Sequence, residues 1–270
     1  MKRLFLDSPT GQLHVRESGR GGTPLVMLHA APGSALMLSA LQEKFMQRTW
    51  AIDLPGMGDS APLPSSAHEP TIADYTHTIA AALEGARIGE FDLYGTLSGV
   101  RVALELAMRN SIVVRRVVLD GIGIPKPQQL AELLEHYAPV FAPDINGNHL
   151  LNTFQLCRDQ YLFYPWYARD TEHRRPNGLP TAEALHLKTM ESLKSAAAFR
   201  PLIRAAFRYD VVGKLKSLTQ PALMSADGAA ILADLRPDVE VLEFPPAEPL
   251  TCPADLLEKR AARIAKFLAV

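Results

Sequence analysis

Three polar side chains of this sequence stand where buried strands are predicted to end. His29 closes the apolar run 24–29, Asp120 follows the apolar run 113–119, and Ser98 comes shortly after the run 91–94. A hydroxyl, an imidazole and a carboxylate are the groups used in nucleophilic catalysis, where a base activates the hydroxyl for attack on a carbonyl. We therefore take Ser98, His29 and Asp120 as candidate catalytic residues.

The elements that would position these side chains alternate between strand and helix. The apolar runs predict an antiparallel pair at 4–6 and 13–17, followed by strands at 24–29, 49–54, 91–94, 113–119, 222–225 and 239–244. Helical spacing predicts helices at 71–87, 100–107, 229–235 and 254–268. This order is typical of an α/β protein with a doubly wound, mostly parallel sheet.

One long segment interrupts the alternation. From residue 125 to 209 the pattern is helical and aromatic, punctuated by proline, with no clear strand. We predict a core domain made of residues 1–124 and 210–270, and a helical cap at 125–209.

The composition is that of an ordinary globular chain. The 270 residues are 47% hydrophobic and carry a formal net charge of −1, which suggests neither a nucleic acid nor a membrane as partner. Cys157 and Cys252 form neither a metal-binding spacing nor a disulfide framework, and Asp7 comes too early for the apolar region of a signal peptide. We expect a cytoplasmic protein that needs no cofactor or metal and binds a small molecule. A homodimer is one oligomeric state open to it.

Four segments together resemble the α/β-hydrolase family. Leu28-His29-Ala30-Ala31-Pro32-Gly33 is similar to the HGxPG loop of that family, and Asp53-Leu54-Pro55-Gly56-Met57-Gly58-Asp59-Ser60 matches its DxPGxGxS loop. Gly95-Thr96-Leu97-Ser98-Gly99 stands in the place of the nucleophile elbow, G-x-S-x-G. The predicted cap and the closing strand and helix complete the order. The resemblance covers the chain outside the cap and implies the α/β-hydrolase fold.

The elbow departs from the family pattern at its apex. With Gly95 and Gly99 aligned, the nucleophile position holds Leu97, which has no lone pair with which to attack. Ser98 then falls on the position whose backbone N–H serves the oxyanion hole, and its side chain is expected to point elsewhere. Sliding the register to make Ser98 the nucleophile would misplace both glycines, and we keep it as the weaker alternative.

The two partners of the nucleophile also depart from the pattern. The acid position after the strand that begins near Pro221 falls on Ala230, with Asp227 at the glycine place. In a second variant of the family, the acid follows the preceding strand, where Asp120 is available; its competing interpretation is a carboxylate bonded by loop amides. The histidine position falls on Pro249, beside Glu248, and no histidine follows His186. Without an imidazole, a hydroxyl lacks its usual general base.

The backbone and the cap still predict a binding pocket. The resemblance implies an oxyanion hole built from backbone N–H groups of Ser98 and of Ala30 or Ala31. It also implies that His29, at the start of this loop, first serves to bond the loop backbone. Leu97 would form the floor, and the aromatic side chains of the cap would line the roof: Tyr161, Tyr164, Trp166 and Tyr167. Packing within the cap or a dimer face is an equal alternative for these aromatics. Because a leucine at a strained elbow costs about 1–3 kcal/mol, we expect the backbone at Leu97 to relax.

Three functional hypotheses follow. The first is an atypical enzyme of the hydrolase family in which Ser98, His29 or Asp120 acts on a small apolar carbonyl compound. The second is a catalytically inactive pseudoenzyme that binds a carbonyl or carboxylate ligand. The third is an oligomeric scaffold, suggested by the aromatic cap. In all three, ester hydrolysis through a serine triad is not expected.

Overall fold

The computed structural model describes residues 1–176, 178–226, 239–244, 249 and 252–269. Within these residues, eight strands form one sheet in the order β1-β2-β4-β3-β5-β6-β7-β8. β1 pairs antiparallel with β2, and β2 with β4, whereas every other pairing is parallel. The strand bounds are β1 Lys2–Ser8, β2 Gly11–Ser18, β3 Leu25–Leu28, β4 Thr49–Ile52, β5 Glu90–Thr96, β6 Val113–Asp120, β7 Ala222–Ser225 and β8 Glu240–Leu242.

Helices connect the strands and cover both faces of the sheet. A 3₁₀ turn at Ala35–Leu38 leads into the first of these helices. Their bounds are α1 Ser39–Gln42, α2 Ile72–Gly85, α3 Gly99–Ala107, α4 Pro127–His136, α5 Asn148–Leu162, α6 Ala182–Lys194, α7 Ala196–Arg208, α8 Val211–Ser217 and α9 Ala254–Leu268. None of the described helices has the length and apolarity needed to cross a bilayer.

Burial explains why the central strands are continuous apolar runs. All four residues of β3, β4 and β7 are buried, as expected for strands covered on both faces. One hydrophobic cluster joins α2, α3 and α8 to one face of the sheet, and a second joins α1 and α9 to the other. The predicted doubly wound α/β architecture is confirmed, as are the opening antiparallel pair and the closing helix. The helix predicted at 229–235 lies outside the described residues.

Helices α4–α7 occupy the segment between β6 and α8, which we call the helical insertion (residues 125–209). It has a hydrophobic cluster of its own, which includes Leu156, Trp166 and Phe199. At its edge Ser195 donates a hydrogen bond from its hydroxyl to the carbonyl oxygen of Gly33, in the loop after β3. This contact places the insertion above the loops at the carboxyl ends of the central parallel strands.

Candidate functional site

The turn between β5 and α3 depends on its two glycines. A Cβ on Gly95 would lie 2.7 Å from Cβ of Ala103, and one on Gly99 would lie 2.5 Å from the carbonyl oxygen of His29. Both distances are too short for real atoms, so neither position tolerates a side chain. The glycines therefore fix the register that the sequence indicated, with Leu97 at the apex.

Leu97 adopts the left-handed backbone conformation, with a φ of 50°. The expectation that this residue would relax is wrong. Three hydrogen bonds hold it there: its N–H donates to the carbonyl oxygen of Asp120 (2.9 Å), and its own carbonyl oxygen accepts from Val100 N–H (3.1 Å) and from Arg101 Nη1 (3.1 Å). The surrounding bonds and the two close-packed glycines outweigh the strain of a branched side chain at positive φ.

The Ser98 hydroxyl points to the loop after β3. Its Oγ accepts a hydrogen bond from the Ala31 N–H at 2.7 Å. One of the predicted oxyanion-hole amides is thus already bonded within the protein. A hydroxyl that accepts one hydrogen bond can still donate another, so Ser98 can give its proton to a second partner.

His29 is fully buried and bonded on both ring nitrogens to the backbone. Its Nε2 accepts from the Leu54 N–H at 2.9 Å, which requires that position to be unprotonated, and its Nδ1 lies 2.8 Å from the Ala30 carbonyl oxygen. Since a carbonyl only accepts, Nδ1 carries the proton and the ring is neutral. These bonds tie the loop after β3 to the loop after β4.

Asp120 ends β6 and is fully buried against two side chains. Its Oδ2 accepts from the Tyr94 hydroxyl at 2.8 Å and forms an ion pair with Arg260 of α9, which is itself fully buried. Burial and the charge of Asp120 raise the pKa of Tyr94 well above its usual value, so this phenol stays protonated. Sequence reasoning considered loop amides as partners and did not find Arg260.

One sign of Arg260 was nevertheless present in the sequence. In α9 it stands between Leu257 and Ile264, on the stripe of apolar residues that faces the sheet. A charged residue in such a stripe indicates a buried partner, because an unpaired buried charge is strongly unfavourable. The helical spacing alone could not name Asp120 as that partner.

The structure does not bring the three candidate catalytic groups together as a triad. Ser98 bonds with Ala31, His29 with backbone groups, and Asp120 with Tyr94 and Arg260. Ala230, Asp227 and Glu248 lie outside the described residues. Pro249 is described and buried, and its carbonyl oxygen accepts from Cys252 N–H at 3.4 Å.

The predicted aromatic lining separates into a buried part and an open part. Trp166 is buried in the cluster of the insertion and donates from Nε1 to the Tyr137 carbonyl oxygen at 2.9 Å. Tyr167 packs edge-on against it, and Tyr161 lies 5.2 Å beneath Lys188 Nζ. Tyr164, in contrast, is 39% exposed, and Leu97 is 38% exposed. These two apolar surfaces are the ones open to a ligand.

A small cavity separates the insertion from the loop after β3. Its volume is about 20 Å³, which holds one water molecule, and none of the five predicted lining residues contributes to it. Its walls are Pro32, Pro139, Phe141, Thr153, Leu156, Ser192, Ala196 and Phe199. This cavity is too small for an organic ligand.

A second pair of buried ionisable side chains joins β2 to the loop that matches DxPGxGxS. His14 Nδ1 lies 2.8 Å from Asp53 Oδ2, and Asp53 also accepts from the amides of Ala35 (2.6 Å) and Asp59 (2.8 Å). Burial raises the pKa of Asp53, but these hydrogen bonds and the nearby ring of His29 together lower it by more, so the group stays ionised. Asp53 thereby ties the loop after β4 to the loop after β3 and to strand β2.

His14, Asp53 and Asp59 also form a group whose ligand atoms are close enough for one metal ion. Arg3 donates to His14 Nε2 at 2.9 Å and pairs with Asp59, while Lys194 Nζ lies 3.3 Å from the other oxygen of Asp59. Two cations thus pair with the Asp59 carboxylate, and His14 pairs with that of Asp53, so the arrangement is that of a structural network.

Comparison with known proteins agrees with the geometry. A family model described as the alpha/beta hydrolase family matches residues 25–263. The chain therefore belongs to this family, and the elbow, the loop after β3 and the loop after β4 are its family features. No curated protein matches the sequence significantly.

Solved structures of similar fold are hydrolases of several kinds. An esterase from Thermogutta terrifontis has a TM-score of 0.70 at 18% identity, covering 100% of this chain and 98% of its own. An epoxide hydrolase from Vigna radiata has a TM-score of 0.71 at 15% identity, covering 99% and 97%. An enol-lactonase from Burkholderia xenovorans LB400 has a TM-score of 0.68 at 16% identity, covering 99% and 100%. At these identities the likeness shows the fold alone.

Proposed function

We propose that this α/β-hydrolase-family protein binds a small apolar carbonyl or carboxylate compound beneath its helical insertion, which acts as a cap, and does not hydrolyse esters through a serine. One observation carries the proposal: the elbow places the hydrocarbon side chain of Leu97 at its apex, at a φ of 50° and with more than a third of its surface exposed. Acyl transfer by this fold requires an ionisable oxygen or sulfur at that point.

The surroundings of Leu97 support binding over triad chemistry. Asp120 is the candidate for the acid position that the second variant of the family offers. Its Oδ2 accepts from Tyr94 and pairs with Arg260, and an ion pair with this permanent cation leaves no place for an imidazole on the same oxygen. The ring of His29 is bonded to the backbone on both sides. A group already engaged in a structural bond is a poor general base.

The donors that remain suit an oxygen of a ligand. The Ser98 hydroxyl accepts a hydrogen bond from the Ala31 N–H and can donate its own proton to an oxygen of the ligand. Two consecutive hydrogen bonds, from Ala31 to Ser98 and from Ser98 to the ligand, would then hold that oxygen. The Thermogutta terrifontis esterase, which shares the fold, has been solved with malate bound. A small carboxylate is therefore compatible with this architecture.

Two measurements on the purified chain test the proposal together. We expect no turnover of p-nitrophenyl esters or lactones above background, and a raised melting temperature in the presence of small carboxylates, since a ligand that binds the native state stabilises it. Ser98→Ala is the control for the weaker alternative register. Ester turnover by the wild-type chain that disappears in Ser98→Ala would overturn the proposal.

The outer surface of the insertion favours a second candidate, a non-catalytic oligomeric scaffold. Large apolar side chains of α5 and α6 are exposed there: Leu150, Leu151, Phe154, Leu187 and Met190. Such a surface is typical of an interface between copies. Light scattering after size exclusion decides the matter: a stable dimer that Leu151→Lys dissociates supports the scaffold, and a monomer at all concentrations removes it.

A further inference from the structure

The ring of Tyr164 lies beside a guanidinium group. Arg175 stacks on this ring, with its Cζ 5.3 Å from the ring centroid. Burial raises the pKa of the Tyr164 hydroxyl, and the charges of Arg175 and Arg101 oppose that rise. We call these three residues the arginine–tyrosine patch.

The patch adjoins the apex of the elbow. Arg101 is buried in the first turn of α3 and donates from Nη1 to the Leu97 carbonyl oxygen at 3.1 Å and from Nη2 to the Gly123 carbonyl oxygen. Arg101 is thus fixed as a positive charge behind the floor of the cleft. Leu97 and Tyr164 leave more than a third of their surface open, so a ligand can reach both.

The charge balance around Arg175 differs from that of four other arginines of the insertion. Arg158 and Arg169 both pair with Asp159, and Arg204 and Arg208 both pair with Glu69. Arg175, by contrast, has no ion pair with a carboxylate among the described residues. The carboxylate of Glu132 acts on a different tyrosine. Together with burial, it raises the pKa of Tyr167, which lies farther along the same segment.

An arginine stacked on a ring keeps its edge free for a ligand. The stacking uses the face of the guanidinium, while the N–H groups lie in its plane and match the two oxygens of a carboxylate. Apolar contact from Leu97 and Tyr164 would hold the remainder of such a ligand. A neutral ester or amide has no charge for this guanidinium to neutralise.

We propose that Arg175, supported by Tyr164, binds the carboxylate of a small aromatic or apolar acid above Leu97, so that the ligand is the acid anion and not its neutral ester or amide. This inference rests on the proposed function and names the ligand class for the same site.

Titration calorimetry with phenylacetate as the probe, and with phenylacetamide as its neutral match, tests the inference on the full chain. We expect phenylacetate to bind and phenylacetamide to bind at least about tenfold more weakly, the loss typical of one charge-assisted contact. Arg175→Gln should lower the affinity for phenylacetate by a similar factor, with Arg175→Lys intermediate.

Arg174→Gln is the matched control, because Arg174 is the exposed neighbour and the same net charge is removed. Melting curves of each variant establish that it is folded. Equal losses in Arg174→Gln and Arg175→Gln, equal affinity for the amide, or no binding of phenylacetate at millimolar concentration would each overturn the inference. The absence of a serine mechanism in the proposed function fails on a different measurement, namely ester turnover that depends on Ser98, so the two failures are distinguishable.

Discussion

Leu97 is held in a backbone conformation that its own side chain disfavours. A φ of 50° is common for glycine and rare for a bulky residue. Leu97 is held there because its N–H donates to Asp120 and its carbonyl oxygen accepts from Val100 and Arg101. The strain is a property of the turn rather than of leucine, since serine at the same apex would adopt it as well.

Replacing Leu97 by glycine and by alanine separates strain from packing. Leu97→Ala keeps a Cβ at positive φ, while Leu97→Gly removes it, so the glycine variant should be more stable than the alanine variant by about 1 kcal/mol. Urea unfolding of the two variants measures the difference. An alanine variant as stable as the glycine variant or more so would show that the turn stores no strain at this residue.

Arg260 and Asp120 stabilise the fold only as a pair. Both are fully buried, so removing one partner leaves an uncompensated charge and should cost about 3–5 kcal/mol. We expect Arg260→Met to be destabilised to this extent, and the double variant Arg260→Met with Asp120→Asn to recover part of the loss, because the amide can still accept from Tyr94. Chemical denaturation of both single variants and the double variant gives the coupling energy. Additive effects would contradict direct pairing.

The turn from β5 to α3 is the element on which the site depends. Gly99 lets the start of α3 lie against the end of β3, where a Cβ would meet the carbonyl oxygens of His29 and Leu28 at 2.5 and 2.6 Å. Both contacts are with backbone, which cannot move aside as a flexible side chain could. The close approach also brings the Ser98 hydroxyl to the Ala31 amide.

Alanine at Gly99 should therefore disrupt the element, whereas alanine at Gly85 should not. A Cβ on Gly85, at the end of α2, meets nothing within 4 Å, so Gly85→Ala is a matched control. We expect Gly99→Ala to lose at least about 3 kcal/mol, the scale of severe overpacking, and Gly85→Ala to be neutral or stabilising. Thermal melts of the two variants check this, and similar melting temperatures would contradict the packing described for Gly99.

The sequence was informative about elements and less so about side chains that meet from distant segments. Apolar runs predicted β3 and β4, and helical spacing predicted α2 and α9, because burial on one or both faces leaves a local pattern. The pair Asp120–Arg260 joins residues 140 positions apart, and no local pattern connects them. The bond from Ala31 to Ser98 likewise depends on the approach of two loops, and the strain at Leu97 on the surrounding packing.

At the scale of the molecule, the site belongs to two parts of the chain that meet above the sheet. In the proposed site, the core supplies Leu97 and Ser98 after β5 and Arg101 in α3, and the insertion supplies Tyr164 and Arg175. Ser195 bonds with Gly33, and Lys194 pairs with Asp59, so the start of α7 and the end of α6 rest on the loops after β3 and β4. A ligand in the cleft would contact both parts at once.

A serine placed at the apex should not restore esterase activity, because a triad needs three elements of the molecule and not one residue. We expect Leu97→Ser to fold and to show no turnover of p-nitrophenyl acetate above background. Its hydroxyl would lack a general base, a contribution of about 10²–10⁴ in rate, since His14 and His29 are engaged in structural bonds and Asp120 is paired with Arg260. Steady-state assays across the pH range, with the wild-type chain and Leu97→Ala as controls, make the measurement. Activity in Leu97→Ser that rises with pH near about 6–7, where an imidazole loses its proton, would show that a histidine reaches the apex after all.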